Sequence, residues 1–218
     1  MSSLIFFTTK DDIILAMDTL AVSSDDGDPL LFTTKFYVVP HLQSVICGTG
    51  DGALVCDWFV HVNTRMVISD ILNLDYHTPA GLRSLATTPR PDRTFAGGTS
   101  TIYQFGFPEE DGPPCAFAYR SAHDFRSEAL PIGRVAVKPE CDVPEHPCFP
   151  QDFEMMMRSQ RVNESAKARG ERVYIGGDIE VCHVTREQTC IYRVASFEDR
   201  EDTLRKMLQK IDDERRQG

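Results

Sequence analysis

The chain has 218 residues, 41% hydrophobic and 26% charged, with a formal net charge of −10. That length suits one large domain whose core needs no disulfide or metal, so residues 1–218 read as a single domain. The acidic balance excludes a nucleic-acid surface built on clustered Lys and Arg, no apolar stretch reaches the roughly 18 residues of a membrane span, and no signal peptide opens the chain, so the expectation is a cytoplasmic protein with neither a nucleic-acid nor a membrane partner.

Residues 3–9 and 13–18 are β-rich runs around the polar break Lys10-Asp11-Asp12, the pattern of a hairpin. A Ser, Asp and Gly-rich loop, SSDDGDP, follows, and KFYVVP and SVICG then predict two strands around Pro40 and His41. Beyond Gly50, the residues Leu54, Val55, Trp58, Phe59, Val62 and Met66 recur at helical spacing. They suit either one buried face or contacts with another chain. A second helix is predicted to start near Thr78-Pro79, with Thr as cap and Pro in the first turn.

Across residues 93–133 the pattern returns to strands, IYQFGF and CAFAYR flanking the turn signal EEDGPP. A loop with Pro139, Pro144, Pro147 and Pro150 leads into a helix over QDFEMMMRSQRVNESAKAR, with Gly170 as its C-terminal cap. VYIGGDIEVCHV and TCIYRVASF predict two strands around the turn TREQ, and EDREDTLRKMLQKIDDERR a charged amphipathic last helix. Strands and helices that segregate in this way predict the α+β class, with packed antiparallel sheets covered by helices. There is no internal repeat.

Seven cysteines without a repeating spacing fit reduced thiols. Cys141, His146 and Cys148 fall within the string CDVPEHPC, but zinc takes four ligands and no second pair is evident. A Pro-rich surface loop is the better reading, and no metal or cofactor is expected.

Chemistry is concentrated at the start. A small residue after Met1 permits its removal, which makes Ser2 the first residue, with a free α-amine whose ordinary pKa is about 7.7 to 8.0. Such an amine can take the hydroxyl proton as the side chain attacks a carbonyl. In SSLIFFTTKDDIILAMDT, Asp18 follows Ser2 by 16 positions.

IILAMDT, Lys35 in TTKFYVV, CGTGDGALVCDW and VYIGGDIEVCHVTREQTCIYR together resemble the proteasome β-subunit family of N-terminal nucleophile hydrolases, including its bacterial ring proteases. The resemblance spans most of the chain and is weakest over residues 66–165. It implies a four-layer αββα sandwich of two antiparallel sheets and a homo-oligomeric ring that cleaves peptide or protein substrates. Nothing in the sequence shows a docking motif for an ATPase partner. In the implied site Ser2 is the nucleophile, Lys35 favours its alkoxide, Asp18 holds Lys35 charged and aimed, and the Gly48 N–H donates to the oxyanion.

Departures from the family are as informative. Its supporting aspartate and serine before the Gly-Gly strand align with Arg172 and Ile175, which offer no acceptor. Asp178 substitutes only if the register shifts. The family's Gly-Ser-Gly turn is replaced by LPIGRVAV, and the arginine after its Asp-Ser/Thr pair by Leu20. Two readings follow: an N-terminal serine peptidase or amidase, or a non-catalytic member that keeps the fold for ring assembly or binding. Internal autoproteolysis exposing Thr8 or Thr33 would break the spacing to Asp18.

Overall fold

A computed structural model describes residues 2–23, 26–88 and 99–217. Strands β1 (Leu4–Thr8) and β2 (Ile13–Asp18) form the expected hairpin. Thr9 closes its turn, donating its N–H to Asp12 O at 2.8 Å while its Oγ1 accepts from the N–H groups of Asp11 and Asp12. A separate two-stranded sheet, β3 (Leu20–Val22) with β4 (Pro29–Phe32), flanks the Ser, Asp and Gly-rich loop, two strands that the sequence pattern does not predict.

Strands β5 (Tyr37–Val39) and β6 (Ser44–Thr49) flank a 3₁₀ turn at Pro40–Leu42, and helices α1 (Gly52–Arg65) and α2 (Ile71–Thr87) follow. Then come β7 (Thr101–Gly106), β8 (Cys115–Arg120), β9 (Ser127–Ala129), β10 (Val135–Lys138), α3 (Asp152–Ser165), β11 (Asp178–Val184), β12 (Thr189–Ser196) and α4 (Arg200–Gln217). The strands make two five-stranded antiparallel sheets, ordered β10-β1-β2-β11-β12 and β5-β6-β7-β8-β9. With four helices and three antiparallel sheets among the described residues, the class is α+β.

Side-chain alternation along the strands sends apolar residues to both faces of each large sheet. One cluster joins Leu4, Phe6, Leu15, Met17 and Cys182 of the first sheet to Val45, Cys47, Phe105 and Ala118 of the second. A second packs Ile46, Ile102 and Tyr119 against Leu54, Trp58 and Val62 of α1 and Leu74 and Leu82 of α2, which settles the helical stripe as an internal face. The third packs Ile5, Ala16, Ile179 and Val181 against Phe153, Met156 and Met157 of α3.

Far from the ends of β1 and β2 that carry Leu4 and Asp18, Arg186 in the β11–β12 turn spans the two sheets. Its guanidinium donates to Pro108 O, Glu110 O and Gly112 O beyond β7 and lies 5.1 Å from the Phe107 ring centroid. The guanidinium's fork of donors satisfies three main-chain acceptors at once.

Several boundaries correct the sequence reading. The helical segment breaks after Arg65, and α2 starts at Ile71, not near Thr78-Pro79. Asp70 caps it by accepting the Asn73 N–H at 2.8 Å, and Pro79 sits inside the helix. Helix α3 ends at Ser165 and not at Gly170; Arg172 reaches back to bond Ser165 O, a carbonyl that the ending helix leaves open, and Lys167 O just beyond it. Strand β11 begins at Asp178 and not at Val173, since Gly177 takes φ +78°, a left-handed value outside the strand region. Of the predicted strand region 93–133, residues 93–98 lie outside the described residues. Among the described residues, no helix is long and apolar enough to cross a membrane.

Candidate active site

Asp18 ends β2, fully buried, and its carboxylate collects four donors. Oδ1 accepts from Lys35 Nζ at 2.9 Å and from the Ser3 N–H at 3.0 Å; Oδ2 accepts from the Leu20 and Gly176 N–H groups, each at 3.2 Å. Charge-assisted bonds of this kind are what make a buried carboxylate tolerable. The sequence explains the convergence. The turn after β2 brings Leu20 back onto Asp18, and the Gly176-Gly177 pair crosses beside it, with Leu20 N–H bonded to Gly176 O at 3.1 Å and Thr19 N–H to Asp178 O at 3.0 Å. A Cβ on Gly177 would lie 2.4 Å from Thr19 Oγ1 and 2.7 Å from the Phe32 ring, so only glycine fits this crossing.

Lys35 reaches Asp18 from the segment before β5, its side chain 11% exposed, and donates a second bond to Leu20 O at 2.8 Å. Burial pulls its pKa below the ordinary ammonium value, although the charge and hydrogen bond of Asp18 and the charge of Glu180 act the other way. The lysine is thus held in place and brought closer to losing its proton. Glu180 lies on the same face of β11 as Cys182 and Val184, which project between the sheets, and its Oε2 is buried without a hydrogen-bond partner among the described residues.

Ser2 is half-buried and sits one residue before the Ser3 N–H that shares Asp18 Oδ1 with Lys35. Leu4 and Phe6 project between the sheets, whereas Ile5 packs toward α3. The Ser3 hydroxyl bonds the Gln160 carboxamide on α3, which continues that alternation. The Ser2 side chain therefore falls on the face shared by Leu4 and Phe6.

Gly48 lies in β6 opposite Ile102 of β7. The β5–β6 register pairs Tyr37 with Ile46, and continuing it by two residues sets Lys35 against Gly48. A Cβ on Gly48 would lie 2.5 Å from Val55 and 2.9 Å from Thr101 O, so close packing of α1 and β7 requires glycine here whatever its N–H does.

Asp178 is engaged elsewhere. Its carboxylate accepts from Ser196 Oγ at 2.6 Å and Arg200 Nε at 3.0 Å, with Arg193 3.5 Å away, and among the described residues it bonds none of Ser2, Asp18 and Lys35. Burial pushes its pKa up, but the bonds from Ser196 and Arg200 and the charges of Arg200 and Arg193 outweigh this and hold it below the ordinary value. Ile175, where the resemblance has a serine, is buried in the α3 cluster, and Arg172 is committed to the end of α3. The Thr8 hydroxyl is buried inside β1, and Thr33 lies outside the site, bonded to the Thr34 carbonyl.

Two site-building residues escaped the sequence reading. Gln160 is fully buried, its carboxamide accepting from Ser3 Oγ and donating to Pro139 O, so α3 ties the start of β1 to the end of β10. Glu164, one turn on, accepts from the Val173 N–H at 2.8 Å and Lys167 Nζ at 2.6 Å and so positions the chain leading to Gly176. Their signal was present: Phe153, Met156, Met157, Gln160 and Glu164 form one helical stripe. Among the described residues, no three His, Cys, Asp or Glu side chains gather closely enough to hold a metal; the Cys148 N–H donates instead to Asp152 at the start of α3.

No family model matches the chain, and a search of curated proteins finds no match.

Proposed function

We propose that this protein is an N-terminal serine hydrolase of the proteasome β-subunit type, cleaving peptide or amide bonds inside a homo-oligomeric ring in the cytoplasm. The observation that carries the reading is the shared Asp18 Oδ1, which accepts from both Lys35 Nζ and the Ser3 N–H and so ties a buried lysine to the start of β1. The three apolar clusters, one between the large sheets and one on each outer face, support the four-layer αββα arrangement of N-terminal nucleophile hydrolases.

In this reading Met1 is removed, and the α-amine of Ser2 accepts the Ser2 hydroxyl proton as Oγ attacks the substrate carbonyl. Lys35 stabilises the developing alkoxide by its charge, and the Gly48 N–H donates to the oxyanion. Collapse of the tetrahedral adduct breaks the C–N bond, and the amine leaves with the proton the α-amine had taken. Water, deprotonated by the same amine, then attacks the Ser2 ester, releasing the acid and restoring Oγ–H.

A second reading, a non-catalytic member kept for ring assembly or binding, is favoured by one observation: Arg172 and Ile175 leave the supporting positions without an acceptor.

Intact-mass measurement before and after exposure to a β-lactone that acylates N-terminal Ser separates them. The hydrolase loses Met1 and gains one adduct that maps to Ser2, while Ser2→Ala gains none and loses hydrolysis by about 1,000-fold or more with unchanged assembly. A retained Met1 without adduct sinks the hydrolase reading.

A further inference from the structure

We propose that the cavity between β10 and the β7–β8 hairpin is a substrate subsite for a carboxylate, held by Lys138 and Arg120. The inference rests on the hydrolase reading for its substrate class but not for its geometry. The cavity measures about 360 Å³ and lies between the two large sheets. Its floor is apolar, formed by Phe6, Tyr103 and Leu130, and its two cations come from opposite sheets.

Its place relative to Ser2 follows from register. Leu4 pairs with Lys138 and Phe6 with Ala136, so Lys138 stands two strand positions from Ser2, about 7 Å along β1. Continuing the register sets Glu140 beside Ser2 itself. On the facing sheet Thr101 pairs with Arg120, and the Lys138 ammonium crosses the gap to donate to Thr101 Oγ1 at 3.1 Å. A substrate whose scissile carbonyl meets Ser2 therefore presents a group one or two residues away to this cavity.

The charges point to a carboxylate. Arg120 already pairs with Glu128 on its own sheet, but Lys138 has no carboxylate partner among the described residues, only the neutral Thr101 hydroxyl. Partial burial pulls the Lys138 pKa below its ordinary value, and the like charge of Arg120 adds to this. An incoming carboxylate supplies the missing negative charge, with donors from both walls, while its methylenes cover the aromatic floor. Glu140, exposed at the rim, repels acid next to Ser2 and so places the preference at the deeper, Lys138 end.

The test is direct binding by fluorescence anisotropy to Ser2→Ala protein, which removes turnover. The probes are dye-labelled tetrapeptides with an internal Glu or Gln, each ending in a free carboxylate or an amide. The expected result is a roughly 10- to 100-fold tighter grip on the acidic member, the worth of a charge-assisted bond. That preference is lost in Lys138→Met and in Arg120→Met and kept in Lys138→Arg. Preference for Glu over Gln identifies a side-chain carboxylate, and preference for the free end a chain terminus. Equal binding of all four probes, or an acid preference that survives Lys138→Met and Arg120→Met, overturns the subsite. The same peptides are then given to protein with Ser2 intact: acid preference without cleavage keeps the subsite and removes the hydrolase reading, and cleavage without acid preference does the reverse.

Discussion

Two carboxylate–cation pairs sit side by side where β2 meets β11, since Asp18 is paired with Ile179 and Asp178 is the residue before it. They are built differently. Asp18 and Lys35 are sealed in, with side-chain exposures of 0% and 11%, and three of the four donors to Asp18 are main-chain N–H groups. Asp178 and Arg200 stand nearer to solvent, 12% and 24% exposed, with Ser196 and Arg193 as further partners and the Phe32 ring beneath the guanidinium. Bonding to Asp178 raises the Arg200 pKa, so that pair stays charged at any working pH, whereas burial loosens the proton on Lys35. One junction carries two kinds of ion pair: a fixed clamp for α4 and, a residue away, a buried ammonium brought closer to losing its proton.

Removing each cation in turn gives the largest contrast. Lys35→Met leaves a buried carboxylate with only main-chain donors, and is expected to cost about 3–5 kcal/mol in urea unfolding, as for a broken buried pair, and to abolish β-lactone labelling of Ser2. Arg200→Met leaves Asp178 with Ser196 and Arg193 and is expected to cost about 1–3 kcal/mol, with labelling intact. Equal losses from both variants would erase the distinction.

Gly177→Ala strikes the crossing that both pairs share. The left-handed φ and the clash with Thr19 and Phe32 are expected to cost about 1–3 kcal/mol and to slow labelling through the displaced Gly176 N–H, which bonds Asp18. An alanine variant as stable as the parent would show that the crossing is not tight.

The smallest effect is in pH dependence, and the two pairs act in different windows. Lys35 lies below its unfolded value of 10.5, so between the folded and unfolded values the unfolded chain binds more protons there and stability rises with pH. This contribution is complete above about 10.5 and is lost as pH falls through the folded value. Asp178 lies below 3.8, so its contribution is complete above that value and is lost as acid takes the pH through its folded value. Urea midpoints measured from pH 3 to 10.5 should lose their alkaline rise in Lys35→Met and their acid fall in Asp178→Asn; exchange of these two effects would contradict the assignment.

The Asp18–Lys35 pair was legible only through the resemblance to proteasome β subunits, because a polar residue at a strand end or before a strand start is by itself ordinary. It hid the β3–β4 hairpin because three- and four-residue strands flanking a Ser/Asp/Gly loop carry too little alternation to register. The start of α2 was misread because Thr78-Pro79 mimics a helix entry, while the true cap, Asp70, lies in an unremarkable polar stretch. Gln160 and Glu164 were passed over as ordinary helix polarity; only their position on the stripe of Phe153 and Met157 separates a buried tether from a solvated residue.

The Arg186 contacts have a mechanical corollary. They pin the far ends of the two sheets together through main-chain carbonyls, whereas among the described residues the near ends are joined across the gap by the Lys35–Asp18 ion pair and by the bond from Lys138 to the Thr101 hydroxyl. The sandwich is thus riveted by cations at both ends, to main-chain carbonyls alone at the far one and to side chains as well at the near one.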